Sequence, residues 1–215
     1  MLGLSNLKEM IIALPVTLIA LTGHELAHAW VSHKLGDPTP EREGRLTVNP
    51  FAHLDPIGAV MMVLTGFGWA KPVGINPMYY KNKKAGTALV SIAGPLANFL
   101  MAFIGAFILV LMGKFLFNPT GIISEFVTYS LQRFIILNIS LMVFNLIPIP
   151  PLDGSKVVGM FLPDRIYYRV LEYERYCMII IMVLSFSGAL RGILSGGIIL
   201  VFNFIVKIMG FILPW

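Results

Sequence analysis

Charged residues and cysteine are both scarce in this sequence. Only 13% of the 215 residues are charged, whereas a soluble domain averages about a quarter, and the mean hydropathy is +0.81. Burial inside a water-soluble core cannot account for so many apolar residues, but a lipid bilayer can. The single cysteine, Cys177, excludes an intramolecular disulfide. The composition therefore indicates an integral membrane protein.

The sequence also lacks a dense run of basic residues and an internal repeat. The net charge is +5, but the basic residues are dispersed among loops and no run is dense enough to indicate nucleic-acid binding. No internal repeat is evident, so the inverted-repeat architecture of many transporters has no support. We therefore expect the bilayer, and not a nucleic acid, as a partner.

Long apolar stretches divide the chain into predicted transmembrane helices. A shorter stretch at 57–67 has 11 residues, whereas a crossing needs about 20, so it fits a re-entrant or interfacial segment. The prediction is an all-α polytopic membrane protein with five or six transmembrane helices. The long stretches cover residues 10–31, 87–112, 127–147, 176–190 and 193–213.

The chain is predicted to form one membrane domain over 1–215, with a core at about 8–160 and C-terminal helices at about 164–215. Between the first and the next full span, turn residues and prolines predict a small membrane-associated extended or β segment. Its parts near 45–49 and 69–75 offer a strand edge with which an extended peptide could pair.

The distribution of basic residues favours five crossings. If 57–67 does not cross, the loops at 32–86 and 148–175 share one side, and with Lys207 they hold 12 of the 16 Lys and Arg residues. A crossing at 57–67 would make the division far more even. The positive-inside rule therefore places these loops in the cytoplasm and the N-terminus outside.

The motif His24-Glu25-Leu26-Ala27-His28 lies within the first apolar stretch. On a helix, two histidines four residues apart project from one face, which allows both imidazoles to bind one Zn²⁺. Glu25 between them is placed to take a proton from a water molecule. Because ionisable residues are costly inside a bilayer, their presence there indicates a functional site.

A catalytic zinc usually has three protein ligands, and Asp153 is the candidate for the third. Pro148, Pro150 and Pro151 cannot continue an ordinary helix, so they end the 127–147 span and present Asp153 on irregular backbone. In the five-crossing topology, Asp153 and the two histidines lie towards the same side of the membrane.

At these motifs the chain resembles the site-2 protease family of intramembrane zinc metalloproteases, peptidase family M50. The resemblance covers roughly residues 10–160, and GWAKPV at 68–73 further resembles the minimal prokaryotic branch without a PDZ domain. The matching motifs are HELAH at 24–28, AGPLANF at 93–99 and NLIPIPPLDG at 145–154.

The resemblance implies one Zn²⁺ per chain at His24, His28 and Asp153, with Glu25 as catalytic base. It also suggests Asn145 as a polar group near the reacting carbonyl. The implied function is hydrolysis of peptide bonds in transmembrane or membrane-adjacent protein substrates. The implied location is the cell membrane, with several crossings and the active site towards the cytoplasm.

Two other classes of protein remain as alternatives. In an ion transporter, His24, Glu25 and His28 would relay ions, but that function leaves the Pro-Pro-Leu-Asp-Gly segment unexplained. A catalytically silent homologue would bind membrane partners without cleaving them, and the intact Glu25 argues against it.

Overall fold

A computed structural model describes residues 4–65, 70–115 and 121–213, and the regular structure in these ranges is helical. Nine α-helices lie within them, four of which have 24 residues or more. Single 3₁₀ turns form at Pro50–His53 and Pro77–Tyr79. In chain order the helices are α1 (Leu4–Lys34), α2 (Thr39–Arg42), α3 (Pro56–Thr65), α4 (Lys83–Phe115), α5 (Ile122–Asn145), α6 (Asp153–Gly159), α7 (Asp164–Glu172), α8 (Glu174–Phe186) and α9 (Ala189–Ile212).

Four helices, α1, α4, α5 and α9, are long and apolar enough to cross a membrane, which confirms an all-α polytopic membrane protein. The predicted count of five or six crossings is not confirmed. The stretch 176–190 is interrupted where α8 ends and Gly188 adopts a φ of 76°, which leaves α8 with 13 residues. A helix of that length is about 20 Å long, compared with about 30 Å for the hydrocarbon core.

The short stretch at 57–67 forms α3, which has 10 residues and is also shorter than a crossing requires. Residues 66 and 67 lie outside the described part of the chain. The length of α3 agrees with a re-entrant or interfacial segment, and its topology stays a prediction.

Helix α4 is central to the bundle and packs against α1, α5, α6 and α9. Apolar side chains of α4, α5 and α9 meet in a buried cluster, which comprises Ala102, Ile135, Ile139, Ile205 and Met209. This cluster lies on the part of α4 beyond Asn98, so the N-terminal half of α4 is left to contact α1 and α6. Buried polar residues lie on α1, on α4 up to Asn98 and on α6, among them His24, Ser91 and Asp153.

The predicted β segment is not confirmed in residues 4–65, 70–115 and 121–213. It contains one isolated antiparallel bridge, between Leu54 and Ala70, and the neighbouring Lys71 N–H donates to the His53 carbonyl at 2.9 Å. Residues 71–76 are without regular structure, and residue 69 lies outside the described part.

Arg45 holds this segment by its carbonyl groups. Its side chain is buried, and its guanidinium group donates to the carbonyl oxygens of Ala52, Lys71 (3.4 Å) and Pro72 (3.1 Å). Those carbonyl groups therefore bind a side chain where a second strand would otherwise pair, which accounts for the isolated bridge.

Asp37 fastens the polar loops to the end of α1. Its carboxylate is fully buried and accepts hydrogen bonds from the Thr39 N–H at 2.9 Å, the Ser32 hydroxyl at 2.8 Å and the Asn76 N–H at 2.7 Å. Burial alone would raise the pKa of Asp37, but these hydrogen bonds outweigh it and lower the pKa. The residue is therefore a carboxylate at neutral pH.

We predict that Asp37→Asn lowers the thermal unfolding midpoint of the detergent-solubilised protein at pH 7. In this variant an amide nitrogen replaces one carboxylate oxygen, and it cannot accept the hydrogen bond from the Asn76 N–H. A hydrogen bond to a charged group contributes about 2 kcal/mol. Because the folded-state pKa is lowered, this contribution is present above the unfolded pKa of about 3.9. It is lost as the pH falls through the folded pKa, so the difference from the unaltered protein should shrink in acid.

The matched control is Asp164→Asn. Asp164 is exposed and pairs with Lys84, and exposed ion pairs contribute about 0–1 kcal/mol. An equal loss of stability in both variants would contradict the role assigned to Asp37.

Candidate metal centre

Three buried side chains from distant parts of the sequence converge between α1 and α6. His24 and His28 are one turn apart on α1, and their Nε2 atoms are 3.0 Å apart. The Asp153 Oδ2 atom lies 3.3 Å from His24 Nε2 and 3.2 Å from His28 Nε2. This is the set of residues in the described chain whose ligand atoms could hold a metal ion.

The end of α5 brings Asp153 to the histidines. Helix α5 ends at Asn145, the chain turns through residues 146–152, and the Pro150–Pro151 peptide bond is cis. Asp153 is the first residue of α6 and does not lie on irregular backbone as predicted. A Cβ atom on Gly154 would clash with the Leu146 carbonyl, so glycine permits this close turn.

Hydrogen bonds orient both imidazole rings through their Nδ1 atoms. His28 Nδ1 donates to the carbonyl oxygen of Val90 at 2.7 Å, and His24 Nδ1 is 2.6 Å from Oδ1 of Asn98. Because an oxygen acceptor needs a donor opposite it, each Nδ1 carries the hydrogen and each neutral ring has a lone pair on Nε2. This tautomer is the one that binds a metal through Nε2.

The donor set fits a bound zinc ion. Two Nε2 lone pairs and a carboxylate oxygen face one another, and acceptors this close require a cation between them. Bonds of about 2.0–2.1 Å in a tetrahedral arrangement place ligand atoms about 3.3 Å apart, and the three distances here are 3.0, 3.2 and 3.3 Å.

The surroundings of the cluster are compact. A Cβ atom on Gly94 would clash with His28 and would lie 2.6 Å from His24 Cε1, so α4 needs glycine where it faces the cluster. Asp153 is buried and faces the two imidazoles with its Oδ2 atom. The Lys156 ammonium lies 3.8 Å from the other oxygen, Oδ1.

Glu25 follows His24 on α1 and is half-buried. Its Oε2 atom accepts a hydrogen bond from the backbone N–H of Val73 at 3.1 Å. The segment after the Leu54–Ala70 bridge therefore lies beside this carboxylate. Sequence reasoning placed the segment in this region, but a backbone N–H leaves no signal in a sequence, and the contact was not predicted.

Asn145 is not one of the three side chains that converge in the cluster. It is half-buried at the end of α5, and its amide nitrogen donates to the Leu141 carbonyl at 3.0 Å.

The other two histidines do not join the cluster. His33 lies 3.8 Å from Glu41, and His53 is buried with its Nε2 atom donating to the Thr47 carbonyl at 2.9 Å.

Comparison with known proteins gives several relatives. The model of peptidase family M50 matches residues 115–188. A Bacillus subtilis protein named "Putative zinc metalloprotease YwhC" is 40% identical over 181 residues, which are 84% of this chain and 81% of that protein. A Mycolicibacterium smegmatis protein named "Putative zinc metalloprotease Rip2" is 26% identical over 87% of this chain and 71% of its own length.

A third relative, "Zinc metalloprotease MJ0392" of Methanocaldococcus jannaschii, is 33% identical over 60% of this chain and 35% of its own length. No solved structure matches the chain. The Bacillus relative is similar over most of both chains, and the family match covers the end of α5 and Asp153. The chain therefore belongs to peptidase family M50, the site-2 protease family.

Proposed function

We propose that this protein is a zinc-dependent endopeptidase of the membrane that hydrolyses peptide bonds of transmembrane or membrane-adjacent proteins. His24, His28 and Asp153 would hold one Zn²⁺ per chain, and Glu25 would act as the general base. The convergence of two Nε2 lone pairs and one carboxylate oxygen in a buried site carries the proposal. The names of the relatives support zinc and proteolysis as the chemistry.

Glu25 performs the proton transfers of the proposed reaction. Bound Zn²⁺ would supply a Lewis acid that activates water and polarises a carbonyl group. Glu25 accepts the proton of the attacking water on its carboxylate and then gives it to the leaving amine. The hydrogen bond from the Val73 N–H holds Oε2 and so limits the rotation of this carboxylate.

The segment at 70–76 is the proposed place for the substrate chain. A transmembrane helix hides its carbonyl groups in hydrogen bonds, so it must unwind before cleavage. Because Val73 contacts Glu25, a peptide that runs along this segment would lie beside the base. The Asn145 amide has two hydrogens, and the bond to Leu141 uses one of them. The second hydrogen would donate to the reacting carbonyl oxygen.

We further propose that the chain crosses the membrane five times. In this topology α8 crosses the membrane and the stretch 57–67 does not. The loops at 32–86 and 148–175 then lie in the cytoplasm with the active site, and the N-terminus lies outside. The division of the basic residues supports this orientation.

We predict that the purified protein contains about one zinc per chain and that His24→Ala, His28→Ala and Asp153→Ala each remove it. Each substitution removes one of three ligands, which leaves a site that cannot close around the ion. Metal content by mass spectrometry after dialysis measures this directly. His33→Ala, on the same helix, should retain zinc, and stoichiometric zinc in Asp153→Ala would exclude the third ligand.

We predict that Glu25→Gln keeps zinc and the fold but lowers peptide-bond cleavage by about 10²–10⁴-fold, because an amide cannot accept the water's proton. Cleavage of a transmembrane substrate in detergent or liposomes measures the rate. The matched control is Glu43→Gln, since Glu43 accepts from the adjacent Gly74 N–H at 3.3 Å. Undiminished turnover in Glu25→Gln would show that another group is the base.

We predict that cysteines at Lys34 and Lys83, introduced in a Cys177→Ser background, react with an impermeant thiol reagent only after cells are opened. Both positions are exposed and flank 57–67. A cysteine at Gly121 should react in intact cells, and a Cβ there meets no atom within 4 Å. Reaction at 83 but not at 34 in intact cells would establish that 57–67 crosses.

The same labelling distinguishes four crossings from five. Arg165 and Ser187 are exposed and lie on either side of α8. If α8 crosses, a cysteine at 187 reacts in intact cells and one at 165 does not. Protection of both positions would exclude a crossing by α8.

A further inference from the structure

A chain of buried amide groups connects α5 to the candidate metal centre. Asn98 on α4 and Asn138 on α5 are both fully buried. The Asn138 amide nitrogen donates to the Phe134 carbonyl at 2.9 Å, and the Asn98 amide nitrogen donates to Asn138 Oδ1 at 2.9 Å. Asn98 Oδ1 then accepts the hydrogen bond from His24 Nδ1 at 2.6 Å. We name the side chains of Asn138, Asn98 and His24 the amide relay.

Backbone carbonyl groups set the direction of every hydrogen bond in the relay. Because a carbonyl oxygen only accepts, Asn138 must turn its nitrogen to Phe134 and its oxygen to Asn98. The Asn98 nitrogen faces that oxygen and also the Ala20 carbonyl, at 3.3 Å. Its oxygen must therefore face His24, whose Nδ1 carries the hydrogen. Flipping both amides would place oxygen against oxygen at Phe134 and at Ala20.

The second histidine serves as an internal comparison. His28 has the same tautomer, but it obtains it from one hydrogen bond to the Val90 carbonyl. A backbone carbonyl remains when side chains are substituted. Of the two histidines, only His24 depends on side chains, and both of these, Asn98 on α4 and Asn138 on α5, belong to helices that supply no ligand.

We propose that Asn138 is a positioning residue of the metal centre. Acting through Asn98, it holds His24 with hydrogen on Nδ1 and its Nε2 lone pair directed at His28 and Asp153. This inference rests on the proposed zinc site, and it extends that site to α5. A role limited to joining α4 with α5 would stabilise the bundle without selecting a tautomer.

The first test is zinc affinity, measured on the purified full chain by competition with a chromogenic chelator. Asn98→Leu and Asn138→Leu should each bind zinc about 10–100-fold more weakly, the range found for partners of metal-bound histidine. Asn138→Gln retains an amide donor and acceptor, and it should bind more tightly than Asn138→Leu. Affinity equal to that of the unaltered protein in both Leu variants would overturn the proposal.

The matched control is Ser140→Ala. Ser140 lies two residues further along α5 and donates to the Ile136 carbonyl at 2.8 Å, as Asn138 does to Phe134. It has no bond to the relay, so its removal should leave zinc affinity unchanged. An equal loss in Ser140→Ala would assign the effect to α5 as a whole.

A double substitution separates the relay from independent packing effects. Once Asn98→Leu has broken the relay, adding Asn138→Leu should cause no further loss of zinc affinity. Losses that multiply would indicate two independent structural contributions and would contradict the relay.

The second test needs no substitution of Asn98 or Asn138. In the metal-free protein at an alkaline pH, where the ring is neutral, the ring ¹⁵N resonances of His24 should show hydrogen on Nδ1 and not on Nε2, with assignment by their loss in His24→Ala. Hydrogen on Nε2 would overturn the proposal even if a Leu variant did not fold. If the unaltered protein bound no zinc, the proposed function would fail, and the tautomer would still decide the relay.

Discussion

A cluster of three hydrogen-bond acceptors in the interior of an apolar helical bundle is the constraint on which the rest of the structure depends. Two imidazole nitrogens and a carboxylate oxygen lie 3.0–3.3 Å apart in a buried site. Such groups repel one another unless a cation lies between them, and apolar surroundings increase the cost. The surrounding elements can be understood by what each contributes to holding this cluster together.

Helix α4 contributes both space and orientation. Gly94 leaves room for the imidazoles, the Val90 carbonyl orients His28, and Asn98 orients His24. The apolar cluster with α5 and α9 lies beyond these positions and anchors the other half of the same helix. One helix therefore joins the apolar packing of the bundle to the polar geometry of the site.

The polar loops extend this order to the proposed base. Asp37 ties the chain at Asn76 to the end of α1, and Arg45 holds the carbonyl groups of Lys71 and Pro72. Between these attachments, the Val73 N–H reaches Glu25. Buried charged groups are costly without partners, and both residues find partners among the backbone groups of the loop that they position.

The sequence by itself determined the class of protein and the residues of the candidate metal centre. Low charge and long apolar stretches indicated a membrane protein, and the spacing of His24 and His28 placed both imidazoles on one helix face because the helical period is 3.6 residues. Asp153 was predicted as their partner from the prolines that end α5, and the structure brings it within 3.3 Å of both. These features depend on local periodicity and on helix-breaking residues, which a sequence displays directly.

Other features were decided only by the tertiary structure. That Asn98 and the Val90 carbonyl orient the histidines depends on how α4 rotates against α1, and no local pattern specifies that rotation. The N–H that Val73 donates to Glu25 belongs to the backbone, and every residue except proline carries one. The predicted strand edge became an isolated bridge because Arg45, distant in sequence, takes the carbonyl groups that a strand would use. Long-range packing chooses among partners that are chemically equivalent in the sequence, and for this reason these contacts could be read only from the folded chain.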